Sequence, residues 1–230
     1  MKTYIITGAS DGIGESIARK LSLLDNVRLI LLGRSLERLE LVQEDCRKTG
    51  ATTEIYAFDL NDDKARQTAV NEIIEKYTPD VLINVAGIWH KTGDLTTLDD
   101  DTIRLVINTN LTSQILLTRQ MLDSMRSRPG SAIINVVSKS GIIAQAGQTV
   151  YTASKYGMKG FTDVLRIDTK EDPIHIAGVY QSGTNTEMFA KAGEEMPTDK
   201  FTEPDDLADV IVFMLTRPDK IWLNEIHIDR

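Results

Sequence analysis

Tyr151 and Lys155 stand four residues apart in Tyr151-Thr152-Ala153-Ser154-Lys155. On a helix that spacing puts both side chains on one face. A phenol with a pKa near about 10 is a poor general acid or base at neutral pH. A neighbouring ammonium favours the phenolate and brings the pKa toward a useful range, so the pair could pass a proton to or from a substrate oxygen. Taken alone, the two residues read better as an amphipathic tyrosine beside a surface lysine. Ser138 lies thirteen residues before Tyr151, at the end of the apolar run Ile133-Ile134-Asn135-Val136-Val137. A hydroxyl at the C-terminal edge of a parallel strand faces the crevice where such sheets bind ligands, and it can bond an oxygen as charge develops there. Ser140 competes for the same place.

A second group of residues could hold an anion. Thr7-Gly8-Ala9-Ser10-Asp11-Gly12-Ile13-Gly14 follows an apolar run and precedes a helical pattern. Gly8 permits a tight turn, Gly12 lets backbone approach a pyrophosphate, and Gly14 lets the helix pack near the strand. Backbone N–H groups and the helix N-terminus then meet negative charge. No Gly-Lys-Ser/Thr follows, which argues against a P-loop nucleotidase. Dinucleotide folds that take NAD place an acid about 20 residues further on, against the ribose 2′-hydroxyl. Here Leu31-Leu32-Gly33-Arg34 puts glycine at that place and a guanidinium beside it. Arg34 can bond a 2′-phosphate that a carboxylate would repel, which favours NADP(H) over the alternative, NAD(H).

These residues need elements to position them. Strand-like apolar runs lie at Thr3–Thr7, Val27–Leu32, Thr53–Phe58, Val81–Val85, Ala132–Val137, Ile174–Tyr180 and Ile221–Ile228. Between them, helical spacing marks Ile13–Leu24, Ala65–Tyr77 and Thr102–Met125, and Glu203-Pro204-Asp205-Asp206 opens another helix running to about Thr216. Near-continuous apolar strands alternating with helices predict a parallel sheet covered on both faces. The one long irregular stretch, Met188 to Thr202, carries Met188, Phe189, Met196 and Phe201, and its length suits a lid.

Composition narrows the class. The chain has 230 residues, with 26 Lys and Arg against 34 Asp and Glu, a formal charge of −8. That length suits one sizeable domain, and no linker or repeat divides it. The acidic balance argues against nucleic acid, and no run approaches the roughly 20 apolar residues of a membrane span. Met1–Thr7 reads as a strand meeting Gly8 and not as a secretory leader. The single cysteine, Cys46, follows Leu39 and Val42 at helical spacing and reads as a packed apolar side chain; a reduced, cytoplasmic setting fits. His90 reads as rim packing beside Trp89, and His175 and His227 as structural or surface residues. No metal-ligand spacing occurs, so no metal is expected.

Thr7–Gly14 matches the T-G-x-x-x-G-x-G signature of the short-chain dehydrogenases/reductases, and the chain resembles their compact single-domain branch from Thr7 to about Ile228. The resemblance implies an α/β, three-layer doubly wound Rossmann-type fold over residues 1–230, with a seven-stranded parallel sheet in the order 3-2-1-4-5-6-7. It implies that Asn110, Ser138, Tyr151 and Lys155 are catalytic, Asn110 through a water that links the lysine to solvent, with Asn108 as the alternative. It implies cofactor contacts from Gly8, Ser10, Asp11, Gly12, Ile13, Gly14, Arg34, Asp59, Leu60, Asn84, Ala86, Gly87, Tyr151, Lys155 and Thr186. Asp59 would accept from the adenine amino group and Thr186 would bond the nicotinamide carboxamide. Three departures stand out. Asp11 occupies a place where many NADP-preferring relatives carry a basic residue. Val85 replaces the second Asn of N-N-A-G. Gln181-Ser182 replaces Pro-Gly, removing a fixed φ and a permissive one. The implied activity is reversible carbonyl/alcohol redox on a small-molecule substrate by a homodimer or homotetramer. A non-catalytic NADP(H)-binding sensor or interaction protein is the alternative.

Overall fold

The computed structural model describes residues 1–218 and 220–229. Seven strands form one parallel sheet: β1 (Lys2–Thr7), β2 (Val27–Gly33), β3 (Thr52–Ala57), β4 (Val81–Asn84), β5 (Ser131–Val136), β6 (Ile174–Gln181) and β7 (Glu225–Ile228). Their spatial order is β3-β2-β1-β4-β5-β6-β7, the order expected. The inner strands β1, β2, β4, β5 and β6 are buried on both faces, which is why they read as apolar runs rather than alternating ones, while the edge strands β3 and β7 are partly exposed. Neighbours in sequence nevertheless point to opposite layers. Tyr4, Ile6, Leu29, Leu31 and Ile134 join one core cluster, and Ile5, Ile30, Leu32, Leu82 and Ile133 join the other.

Helices α1 (Gly12–Leu21), α2 (Leu36–Lys48) and α8 (Pro204–Leu215) cover the first layer; α3 (Asp63–Lys76), α5 (Ser113–Met125) and the buried part of α6 (Thr149–Asp168) cover the second. Local chemistry sets their starts. Ser35 Oγ accepts from Arg38 N at α2, Asp62 from Lys64 and Ala65 at α3, and Asp99 from Thr102 at α4 (Asp100–Ile107). Cys46 is fully buried in the first core, as its spacing suggested. Among the described residues no helix is long and apolar enough to cross a membrane.

Three boundaries differ from the sequence reading. The long helix of 102–125 is two helices joined by a π-turn, Asn108–Thr112. Apolar spacing continues through such a turn, so periodicity alone does not reveal it. The last strand covers only Glu225–Ile228, because Trp222 and Leu223 pack on the core from a loop before the ladder begins. The irregular stretch contains a four-residue helix, α7 (Met188–Lys191), and a 3₁₀ turn at Thr198–Lys200.

The sheet order reverses between β1 and β4. In an open parallel sheet this is where a crevice forms outside the strand ends. The glycine loop leaves β1 and Ala86-Gly87 leaves β4 at that point, and Thr7 Oγ1 ties the two by accepting from Val85 N at 2.9 Å and Ala86 N at 3.0 Å.

Candidate active site

The glycine loop is shaped by contacts that leave no room for side chains. A Cβ on Gly14 would lie 2.1 Å from Gly8 O, and one on Gly8 would lie 3.0 Å from Ala86 Cα. Gly8 and Gly12 have positive φ, 65° and 53°. Ser10 packs against Gly33, Ile13 lines the crevice, and Thr186 Cγ2 would meet a Cβ on Gly12 at 3.1 Å. Gly87 faces both Asn110 Oδ1 and Lys155 Nζ, at 3.4 and 3.7 Å from where its Cβ would be. The result is a cradle walled by backbone between β1 and β4.

Around this cradle the expected cofactor residues divide. Arg34 is exposed at the end of β2 and makes no ion pair among the described residues. Asp59 is exposed, with Oδ1 accepting from Asn61 N at 2.9 Å. Leu60 packs in the second core, with its carbonyl accepting from Arg66. Asn84 differs most from expectation. It is fully buried, and its Nδ2 donates to Asn135 Oδ1 at 2.8 Å and Thr118 Oγ1 at 3.0 Å. Its side chain braces the strand end from within and does not face the crevice. Asp11 does not cap α1. Its carboxylate pairs with Lys191 at 2.6 Å and Arg38 at 3.5 Å, and both cations also pair with Glu187. These exposed pairs orient α7 against the glycine loop more than they stabilise it. Arg38 stands four residues after Arg34, a spacing that could have marked it.

Tyr151, Lys155 and Ser138 converge on one cleft of about 360 Å³. Tyr151 and Lys155 lie one turn apart on α6 as their spacing predicts, both buried. Lys155 Nζ lies 5.6 Å from the Tyr151 ring centroid and donates to Val136 O at 3.4 Å. Ser138 holds a positive φ of 129°, unusual for serine, the kind of strain that clusters at functional sites. Its Oγ accepts from Ser140 N at 3.1 Å and faces the same cleft as Tyr151. The competitor, Ser140, is engaged with Gln148 Oε1 at 3.1 Å.

The electrostatics differ in sign from the sequence expectation. Burial pushes the Tyr151 phenol up to about 12, and Ser138 offsets only part of that. Burial lowers the Lys155 ammonium to about 8. Desolvation of each group outweighs the help the cation was expected to give the phenol. At neutral pH Tyr151 is therefore protonated, in the state of a proton donor.

Asn110 sits in the π-turn, fully buried. Its Oδ1 accepts from Ile88 N at 2.8 Å, and its Nδ2 donates to Ile88 O at 2.9 Å and Ser154 Oγ at 3.2 Å. The amide thus clamps the loop after β4 onto α6, and π-turns recur at functional sites.

Two residues of that loop play larger parts than the sequence suggested. His90 Nε2 accepts from Tyr151 N at 3.1 Å, and its Nδ1 pairs with Lys91 O at 2.9 Å. The imidazole therefore satisfies an otherwise unpaired N–H in the first turn of α6. Trp89 packs edge-on against Tyr151, centroids 4.4 Å apart, and against Phe189 of α7 at 5.1 Å. Its Nε1 donates to Glu194 Oε2 at 2.5 Å, and Thr92 N donates to the same oxygen at 3.1 Å. Burial alone would raise the Glu194 carboxyl, but these donors hold it below the usual range. Trp89 and Glu194 are 105 residues apart, so no local pattern announces the pair.

A family model described as short chain dehydrogenase matches residues 2–197. An NADP-dependent 3-hydroxy acid dehydrogenase of Schizosaccharomyces pombe is 31% identical over 233 residues, covering 96% of this chain and 89% of that protein. A sepiapterin reductase of Chlorobaculum tepidum is 27% identical over 229 residues, covering 96% and 93%. Among solved structures, a metagenomic short-chain oxidoreductase in complex with NADP is 29% identical with a TM-score of 0.86, covering 99% of this chain and 96% of that one. An alcohol dehydrogenase from the archaeon Thermococcus sibiricus reaches a TM-score of 0.90 at 23% identity, over 99% and 96%, a likeness of fold.

Proposed function

The chain belongs to the short chain dehydrogenase family, and on that premise we propose that it interconverts a carbonyl compound and its alcohol with NADP(H), Tyr151 being the group that moves the proton. The observation that carries this reading is the buried Tyr151, which shares one cleft with Ser138 and the Lys155 ammonium at the edge of a glycine-lined cradle. The cradle suits a dinucleotide. Backbone N–H groups of residues 10–14 would face the pyrophosphate, Arg34 the 2′-phosphate, Asp59 the adenine, and Thr186 the nicotinamide carboxamide; Tyr151 and Lys155 would reach the ribose. When bound, the cofactor supplies or accepts the hydride.

The chain's own residues manage the oxygen. In reduction, the Ser138 hydroxyl donates to the carbonyl oxygen and Tyr151 Oη gives it a proton as negative charge builds. The charged Lys155 offsets the phenolate left behind. Asn110 has spent its amide on Ile88 and Ser154, so a relay water would bond to its backbone. Residues 188–202 serve as the lid, held to the crevice wall through Trp89 and Glu194. Leu105, Tyr156, Val164 and Ile167 remain exposed on α4 and α6, which supports self-association through those helices.

Following NADPH absorbance with a panel of aldehydes and ketones tests the reading. Turnover supports it; silence across the panel with tight NADPH binding would favour the sensor.

Two further results are expected. Carbonyl reduction should be fastest below about pH 8 and fall as pH rises through it, because Lys155, depressed to about 8, loses the charge that stabilises the leaving phenolate. A pH profile of kcat/KM checks this, and a rate that climbs steadily above pH 8 would contradict it. Arg34→Ala should weaken NADPH by about tenfold or more and leave NADH nearly unchanged, the loss of one charge-assisted contact. Calorimetric titration with both cofactors reads the ratio, and a wild-type preference for NADH would overturn the assignment of Arg34.

A further inference from the structure

Gln181 ends β6, and Ser182 follows it; both line the same cleft as Tyr151 and Ser138. Gln181 is 8% exposed. Its Oε1 and the Ser182 Oγ are both buried without a hydrogen-bond partner. A buried polar atom left unpaired costs stability unless something satisfies it, and such groups call for an explanation. Two adjacent ones on the wall of a reaction cleft point to a ligand.

Sheet register fixes where these groups sit relative to the chemistry. Val136 of β5 pairs with Val179 of β6. Ser138 follows the end of β5 and Gln181 ends the neighbouring strand β6, and both line the one cleft. A group bonded at Gln181 would therefore stand on the same side of the cleft as the carbonyl oxygen held by Ser138. The chemistry of the pair also selects. Gln181 Oε1 needs a donor. A substrate hydroxyl supplies one, whereas a carboxylate supplies only acceptors. The two cations lining the cleft are otherwise committed, Lys139 to Asp229 and Lys155 to Val136 O beside Tyr151. Trp89, Phe189 and Phe201 give the cleft an apolar wall, and the Phe201 ring lies beside the subsite, 3.0 Å from where a Cβ on Gly183 would be.

We propose that Gln181 and Ser182 form a subsite for a neutral hydroxyl on the carbon adjacent to the reacting carbonyl, which makes apolar α-hydroxy ketones, and the vicinal diols they give, the preferred substrate class. The hydroxyl is recognised and not altered; hydride and proton go to the carbonyl carbon and oxygen. This rests on the carbonyl/alcohol reading above.

Three matched probes test it with NADPH: 4-phenyl-2-butanone, 1-hydroxy-4-phenyl-2-butanone and 2-oxo-4-phenylbutanoate. The wild type should show kcat/KM for the hydroxy ketone roughly tenfold or more above both others. Gln181→Met, close in volume, should bring the ratio of hydroxy to plain ketone near one, and Ser182→Ala should reduce it. Because a ratio is read within each variant, loss of folded protein does not mimic the effect. Equal wild-type rates, a preference for the oxo acid, or a ratio that survives Gln181→Met would overturn the subsite while leaving the reductase reading standing. If none of the three is reduced, the reductase reading fails on them, and binding decides the subsite. The NADPH-loaded protein should hold 4-phenylbutane-1,2-diol at least tenfold tighter than 4-phenyl-2-butanol, measured by calorimetry, with the difference lost in Gln181→Met. Equal binding of the two alcohols overturns it.

Discussion

Tyr151→Phe should lower kcat by about 10²–10⁴-fold, the range that a positioned general acid contributes, while the folded state and most NADPH affinity persist. The ring stays, so its edge-on contact with Trp89 at 4.4 Å stays too. Only the hydroxyl leaves, and Ser138 Oγ keeps its bond from Ser140 N. No buried group is orphaned, and the melting temperature should move by a few degrees at most. Loss of turnover in a normally folded, NADPH-binding variant then isolates the proton. Because burial holds the phenol near about 12, the group carries its proton at neutral pH, as reduction requires, although it is a weaker acid than a free phenol. With no hydroxyl to carry the proton, the variant should be impaired in both directions. Wild-type rates in Tyr151→Phe on a good substrate would end the assignment.

Gly14→Ala should be the most damaging single methyl in the molecule. The added carbon would lie 2.1 Å from Gly8 O and 2.7 Å from Gly8 C, both backbone atoms that no rotamer change can move aside. Either α1 slides outward or the loop after β1 changes course. Overpacking of this kind costs about 3 kcal/mol or more, which for a chain of this size lowers the melting temperature by about 6–12 °C. The same shift breaks the cradle, so NADPH binding should weaken by more than tenfold even in protein that remains folded. Gly160→Ala is the contrast. It lies within α6 with nothing near its Cβ position, and alanine there should be neutral or stabilising by up to about 1 kcal/mol. Thermal melts and NADPH titration of both variants read the outcome; a Gly14→Ala protein that melts and binds like the wild type would contradict the close approach.

Much of this was legible before any coordinates. Apolar runs marked the inner strands because both of their faces are buried, and the edge strands β3 and β7, partly exposed, were marked by weaker runs; the glycine loop was readable because strand, turn and helix are adjacent in the chain. The spacing of Tyr151 and Lys155 placed them correctly on one face of α6. Contacts across long sequence separations were not legible. Periodicity does not encode that Glu194 reaches Trp89, that His90 holds the start of α6, or that Arg38 and Lys191 share Asp11 and Glu187. The side-chain bonds of Asn84 to Thr118 and Asn135 were hidden for a related reason: a motif gives the residue but not which side of the sheet its amide faces. The electrostatic sign at Tyr151 was missed because a one-turn spacing says that two groups are near, whereas their depth decides how much charge either tolerates.

The dipeptide Trp89-His90 has a mechanical consequence. One residue holds the stretch 188–202, through Phe189 and Glu194; the next holds the backbone of Tyr151. Load applied to that stretch therefore arrives at Tyr151 after a single peptide link. On the proposed reading, a ligand that displaces residues 188–202 would also turn the phenol away from its line of proton transfer.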